Sequence, residues 1–383
     1  MARRTYFDHA ASSPTLPVAV AAMARTLGVP GNPSSLHTAG RDARRVLEEA
    51  RESLAADMGA LPGEVVFTSG GTEANNLALL GSVTAQRPQV AASAIEHPSV
   101  AAAAGRLEVL ALPVSPSGHL DVEMAAALVG PRTAVVSVMW VNNETGAVQP
   151  IPQAVALAHD VGARAHSDAV QAFGHLPLHF GESGLDLLSV SAHKLGGPVG
   201  IGALVVRRGV ALAPSGFGGG QEARVRSGTV PVALAAGFAA ASRAVLLQRD
   251  AEAVRLAALR DRLITGALTT IDDVVSNTVA PSGPAIVNLT FAGTRADDVL
   301  LLLDAAGIDA STGSACTAGV HQPREVLLAM GRSDAAAASS LRFSFGPYSS
   351  TATLDHLLAV LPGIVERARR ADLHSSGSTA KGN

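Results

Sequence analysis

Apolar positions along this chain switch between two periods. Short runs of apolar, often β-branched residues at 64–68, 134–139, 163–167, 185–190 and 202–206 read as strands. Between them apolar residues recur at helical spacing, as at 152–160. Upstream, residues 39–58 place Val46, Leu47, Ala50, Leu54 and Met58 on one helical side and charges on the other. Strand–helix alternation of this kind predicts an α/β fold whose sheet is mostly parallel, with helices on both faces. Beyond about residue 240 the texture changes. A long charged helical pattern at 250–268 precedes a Pro/Ser/Gly stretch at 281–284, and strand patterns return only at 286–291 and 339–345. The expected division is a large domain over 15–245 and a smaller α+β C-terminal domain over 246–373, with segment 1–14 packing nearby. Residues 374–383 are small and polar and are expected to form a disordered tail.

Composition narrows the chemistry. Of the 383 residues 48% are hydrophobic but only 3% aromatic, so the core must be built from Ala, Val and Leu. A net charge of -3 leaves no basic footprint for nucleic acid and no polybasic patch for a membrane, which points to small-molecule chemistry. The apolar stretch at 230–247 is interrupted by Pro231, Ser242 and Arg243 and reads as a buried helix, not a span. Arg3 and Arg4 are followed by Thr5-Tyr6-Phe7-Asp8-His9, which is no secretory signal. The only cysteine, Cys316, has no internal disulfide partner, which suits a reducing cytoplasm.

Four places carry candidate chemistry. Ser69-Gly70-Gly71-Thr72-Glu73 lies where a strand pattern gives way to a helix, a junction that can cradle an anion on free N–H groups. A plain turn with Thr72 as helix cap is the alternative. In Ser191-Ala192-His193-Lys194 a lysine just past a buried strand can be desolvated and freed for Schiff-base chemistry, with Ser191 and His193 as phosphate donors. Asp168 ends a strand pattern at the sheet edge where open α/β sheets hold ligands. There it could keep a pyridine nitrogen protonated, with Gln171 near the ring oxygen; a helix N-cap is the alternative. Cys316 sits among Ser314, Ala315, Thr317 and Ala318, between Gly313 and Gly319, which describes a mobile exposed segment rather than a buried thiol.

Together these motifs resemble the cysteine desulfurases of the NifS/IscS type, in the class V branch of the fold-type I (aspartate aminotransferase-like) pyridoxal 5'-phosphate (PLP) enzymes. The resemblance spans Phe7-Asp8-His9-Ala10-Ala11 to Ser340-Leu341-Arg342-Phe343-Ser344. It includes Gly31-Asn32-Pro33-Ser34-Ser35, Glu96-His97, Val141-Asn142-Asn143-Glu144, Ser167-Asp168-Ala169-Val170-Gln171 and Arg226-Ser227-Gly228-Thr229. It implies that Lys194 binds PLP covalently and then moves the substrate's Cα proton, and that Cys316 takes the sulfur of L-cysteine as a persulfide. Asp168 and Gln171 would pair with the ring nitrogen and phenolic oxygen, and His97 would stack on the ring and help move protons. Gly71, Thr72, Ser191 and His193 would hold the phosphate, joined by Thr229 of a second subunit in a homodimer. Arg342 would clamp the substrate carboxylate, assisted by Asn32, while Asn143 would touch cofactor and substrate. The implied partner is a sulfur-acceptor or iron–sulfur scaffold protein, serving cluster assembly or tRNA thiolation. No intrinsic metal site is implied, although Cys316 could ligate a cluster transiently. The rival readings are a selenocysteine lyase or aminotransferase of the same class, or a non-catalytic sulfur carrier. Gln221 and Trp140 depart from the family's usual residues without touching a proposed catalytic group.

Overall fold

The computed structural model describes residues 4–313 and 325–379. Seven strands form one sheet in the order Val65–Thr68, Gly202–Val206, Leu187–Ser191, Arg164–Asp168, Thr133–Ser137, Gln89–Ser93, Glu108–Leu112. The last five of these run parallel, and Gly202–Val206 lies antiparallel to both neighbours. A fold with one reversed strand in an otherwise parallel sheet agrees with the mostly parallel expectation.

Alanine and valine fill much of the space under the sheet. Helices Thr38–Met58 and Val232–Leu246 pack through Leu47, Ala50, Leu54, Ala235 and Phe238, all buried. The opposite sheet face is covered by Gly71–Leu80, whose Ala74, Leu77 and Ala78 are fully buried. Low side-chain volume lets these elements approach closely. Gly202 is an instance: a Cβ there would stand 2.8 Å from the Cα of Gly70.

A second core gathers Phe7, Leu263, Val287, Phe291, Leu341, Phe343 and Leu361 around the antiparallel sheet Ser340–Ser344, Ile286–Phe291, Val274–Ser276. The N-terminal segment joins it, because Thr5–Tyr6 pairs in parallel with Ile308–Asp309 and Phe7 packs edge-on to Phe345. This return carries residues 8–13 back over the C-terminal edge of the large sheet, where Ser13 N–H donates to His193 O at 2.9 Å.

One expectation changes at the C-terminus. The last helix runs from Thr351 to Thr379, past residue 374 where a disordered tail was expected. Extending a formed helix adds one hydrogen bond per residue fixed, which offsets the weak propensity of this Ser/Gly-rich end. Among the described residues, no helix is long and apolar enough to cross a membrane.

Candidate active site

Where strand Val65–Thr68 ends, Gly70 adopts φ +154°, a conformation open in practice only to glycine. The chain turns there into helix Gly71–Leu80. Glu73, in its first turn, accepts from Ser69 N–H at 2.5 Å and from Arg226 Nε at 3.0 Å, which braces the turn. Facing it is Ser191, the last residue of its strand, whose buried Oγ has no hydrogen-bond partner among the described residues. A Cβ on Gly70 would lie 3.9 Å from that oxygen, and one on Gly71 would strike Val170 Cγ2 at 2.9 Å. Free first-turn N–H groups, a glycine floor and an orphan hydroxyl are what a phosphate group requires. Thr72, at the second position of the helix, completes the rim.

Asp168 ends strand Arg164–Asp168 and is 5% exposed. Its Oδ1 accepts from Val170 N–H at 2.9 Å and its Oδ2 from Asn75 Nδ2 at 2.7 Å. Both bonds fix the rotamer, so a ring nitrogen would meet a side chain already held in place. Beside it lies Glu96, buried, with Oε1 accepting from Met139 N–H at 2.6 Å.

Lys194 closes the short turn Ala192–Lys194 that follows strand Leu187–Ser191. Its Nζ donates to Ala10 O at 2.5 Å and Ala11 O at 2.9 Å, and Gln171 Nε2 donates to the same Ala10 carbonyl at 2.9 Å. The returning N-terminal segment therefore brings Lys194 and Gln171 together. Burial, helped by the Arg342 charge and opposed by Asp168 and Asp8, pushes Lys194 down to about 8. Burial also pushes His193 down to about 4, with Lys194 and His97 adding to the effect. His97 caps helix Pro98–Ala104, and burial lowers it too, Asp168 opposing while Lys194 and Arg342 reinforce.

Arg342, in strand Ser340–Ser344, is 3% exposed. Nη2 meets Asp8 Oδ1 at 2.6 Å, while Nη1 donates to Asn143 O at 2.9 Å and Gly313 O at 3.4 Å. Nε is buried and, among the described residues, has no hydrogen-bond partner, as is the case for Asn143 Oδ1. Asn142 carries the local turn instead, accepting from Glu144 N–H and Thr145 N–H at 3.0 and 2.8 Å. Asn143 is thereby released for a ligand. Cys316 lies outside the described residues, but the chain that leads to it leaves from Gly313, against the Arg342 guanidinium.

Most of the sequence-predicted residues thus converge: Gly71, Thr72 and Ser191 at the turn, and His97, Asp168, Gln171, His193, Lys194, Asn143 and Arg342 around it. Asn32 and Thr229 do not join them. They line a surface groove of about 330 Å³ with Gln221 and Glu222, and among the described residues neither is hydrogen-bonded to the Lys194 cluster. Sequence reading missed Asn75, Asp8 and the Ala10 and Ala11 carbonyls. Asn75 did leave a signal, as a polar residue on the helical face that Ala74 and Ala78 bury. The residues present fit a phosphorylated pyridine cofactor. Once bound, PLP supplies the electron sink that lets a proton leave the substrate's Cα.

Residues 5–357 match the family model described as aminotransferase class-V. The chain is 46% identical over 392 residues to an IscS-like cysteine desulfurase of Mycobacterium tuberculosis, covering 98% of this chain and 99% of that protein. A solved NifS-like protein superposes with a TM-score of 0.89 at 30% identity, covering 95% of this chain and 100% of the other. A structure described as SspA in complex with cysteine gives a TM-score of 0.79 at 31% identity, over 90% and 100%. With the phosphate turn, the Asp168 carboxylate and the desolvated Lys194 in place, the chain belongs to the class-V aminotransferase family of PLP-dependent enzymes, in its NifS/IscS-type cysteine desulfurase branch.

Proposed function

We propose that this protein is a cysteine desulfurase that converts L-cysteine to L-alanine and carries the sulfur as a persulfide on Cys316. The observation that carries this reading is the placement of Arg342. Its guanidinium offers to a carboxylate a buried Nε that has no partner among the described residues, and also donates to Gly313 O. An amino acid clamped there would lie beside Gly313, three residues before Cys316 in the chain.

The chain's own groups divide the work. Lys194 holds the cofactor and, with its proton affinity lowered to about 8, can take and return a Cα proton near neutral pH. Asp168 faces the ring nitrogen, Gln171 the phenolic oxygen and His97 the ring face. Gly71, Thr72, Ser191 and His193 hold the phosphate. Asn143 and Arg342 orient the amino acid. The Cys316 thiolate attacks the substrate sulfur; an S–S bond forms and the Cβ–S bond breaks. The bonding pair stays on carbon, which takes up a proton to give alanine. Asn32 and Thr229 serve from a second copy of the chain in a homodimer. The persulfide passes to an acceptor protein of the cytoplasm, for iron–sulfur assembly or tRNA thiolation.

The test is mass spectrometry after brief exposure to L-cysteine without reductant. One added sulfur is expected on the peptide containing Cys316, and Cys316→Ser should keep the cofactor but lose both the adduct and alanine formation. Alanine and sulfide at the wild-type rate from that variant would replace this reading with a lyase that needs no enzyme thiol.

A further inference from the structure

His97 and Asp168 are joined through two side chains to which the proposed chemistry gives no role. Ser99 N–H donates to His97 Nδ1 at 3.1 Å, and only an unprotonated ring nitrogen can accept it. Ser99 Oγ lies 2.8 Å from the same Nδ1, so its hydroxyl must donate as well. That hydroxyl in turn accepts from Asn75 Nδ2 at 2.8 Å. Asn75 spends its other amide hydrogen on Asp168 Oδ2 at 2.7 Å. The amide orientation follows from chemistry, because a carboxylate oxygen can only accept and would repel the amide oxygen. Among the described residues, the buried Asn75 Oδ1 is left without a partner. Every hydrogen in the chain has one direction: Asn75 to Asp168, and Asn75 to Ser99 to His97.

We propose that Asn75 and Ser99 form a positioning relay that locks the Asp168 carboxylate and holds His97 as its Nε2–H tautomer, so that the two groups act as one unit. Protonating Nδ1 would set its hydrogen against the Ser99 N–H, which cannot turn away. His97 therefore exchanges protons with a reacting group only through Nε2. The charged and titratable groups facing it are Asp168, Lys194, Arg342 and His193. The relay rests on the assignment of His97 and Asp168 to the active site, and its spectroscopic signature does not require turnover.

The test uses full-length PLP-loaded protein labelled with 15N in its histidine rings. In the wild type, His97 should show the Nε2–H tautomer, with Nδ1 shifted as a hydrogen-bond acceptor. Ser99→Ala, which removes the hydroxyl but keeps the backbone N–H donor, should move Nδ1 only part of the way toward the position of an unbonded imine nitrogen. It should also lower kcat by about five- to tenfold, with KM little changed, as the loss of one neutral hydrogen bond implies. Ser99→Thr, which keeps the hydroxyl, should restore both. Asn75→Ala does not touch His97, yet should shift Nδ1 when Ser99 is present and have no such effect in the Ser99→Ala background. An Nδ1–H tautomer in the wild type, or an Nδ1 signal indifferent to Ser99→Ala, would overturn the relay. Loss of desulfurase activity in Cys316→Ser with an unchanged His97 signal would leave it standing.

Discussion

Two carboxyl groups at the floor of the site have different surroundings. Among the described residues, Asp168 receives two donors, whereas Glu96 receives one from Met139 N–H and keeps Oε2 buried and unpartnered. Burial, and then the Asp168 charge, push Glu96 well above the ordinary carboxylate range. A carboxyl raised on folding stabilises fully only below its unfolded value of about 4.3. Its contribution is lost as pH rises from there through the raised folded value. Glu96→Gln is close to isosteric with the neutral acid and keeps an oxygen for Met139. The variant is therefore expected to be at least as stable as wild type at pH 8, and to show less loss of stability between pH 4 and pH 8. Urea unfolding at the two pH values checks this; a variant less stable at pH 8 by 2 kcal/mol or so would mean that Glu96 is ionised and needed as such. At this scale the sequence was legible wherever a reactive residue followed a strand, as Lys194 and Asp168 do. It was illegible for Asn75, Asp8 and the Ala10 carbonyl, because their roles come from segments that meet only in the folded chain.

Elements with strong β-branched character were visible before the structure, and Gly202–Val206 and Ile286–Phe291 match their patterns residue for residue. Strands Gln89–Ser93 and Glu108–Leu112 were not, since Gln-Val-Ala-Ala-Ser has little intrinsic strand preference. Gln89–Ser93 is placed by parallel pairing to Thr133–Ser137 on one side and to Glu108–Leu112 on the other, which is tertiary context overriding propensity. The same close packing makes Gly202 a test of how the phosphate turn is held. A Cβ at Gly202 would lie 2.6 Å from Val190 O and 2.8 Å from Gly70 Cα, both backbone atoms that cannot swing aside. Gly202→Ala should therefore part the strand from the turn, costing about 1–3 kcal/mol and weakening PLP affinity. Gly63→Ala, with open space around the added methyl, is the control and should leave both unchanged. Equilibrium unfolding with a PLP titration reads both. Equal PLP affinity in the two variants would show that the turn does not depend on this contact.

On the scale of the whole molecule, Asn32 and Thr229 are the residues that a single chain leaves unexplained. Both are exposed, and they share one groove beside Gln221 and Glu222. Around that part of the surface the chain exposes large apolar side chains, with Leu36 83% and Phe217 93% accessible. A homodimer, the usual two-fold assembly, is the proposal that would give these residues a role. The family resemblance gives Thr229 to the phosphate site of a second subunit, and it does not say which copy Asn32 serves. A homodimer in which Thr229 of one subunit reaches the phosphate turn of its partner makes a specific prediction by complementation. Lys194→Ala lacks the cofactor lysine but keeps Thr229, whereas Thr229→Glu keeps the lysine and sets a negative charge where a phosphate should lie. Each variant alone should be inactive or nearly so. Unfolded and refolded together, they should form mixed dimers holding one intact composite site, Lys194 from one subunit and Thr229 from the other. Activity should then return to about a quarter of the wild-type value for statistical mixing, half of the dimers being mixed with one working site each. Sedimentation of the mixture should show dimers throughout. A monomer that is fully active at assay concentration, or mixed dimers without recovered activity, would mean that Thr229 acts within its own chain or not at all.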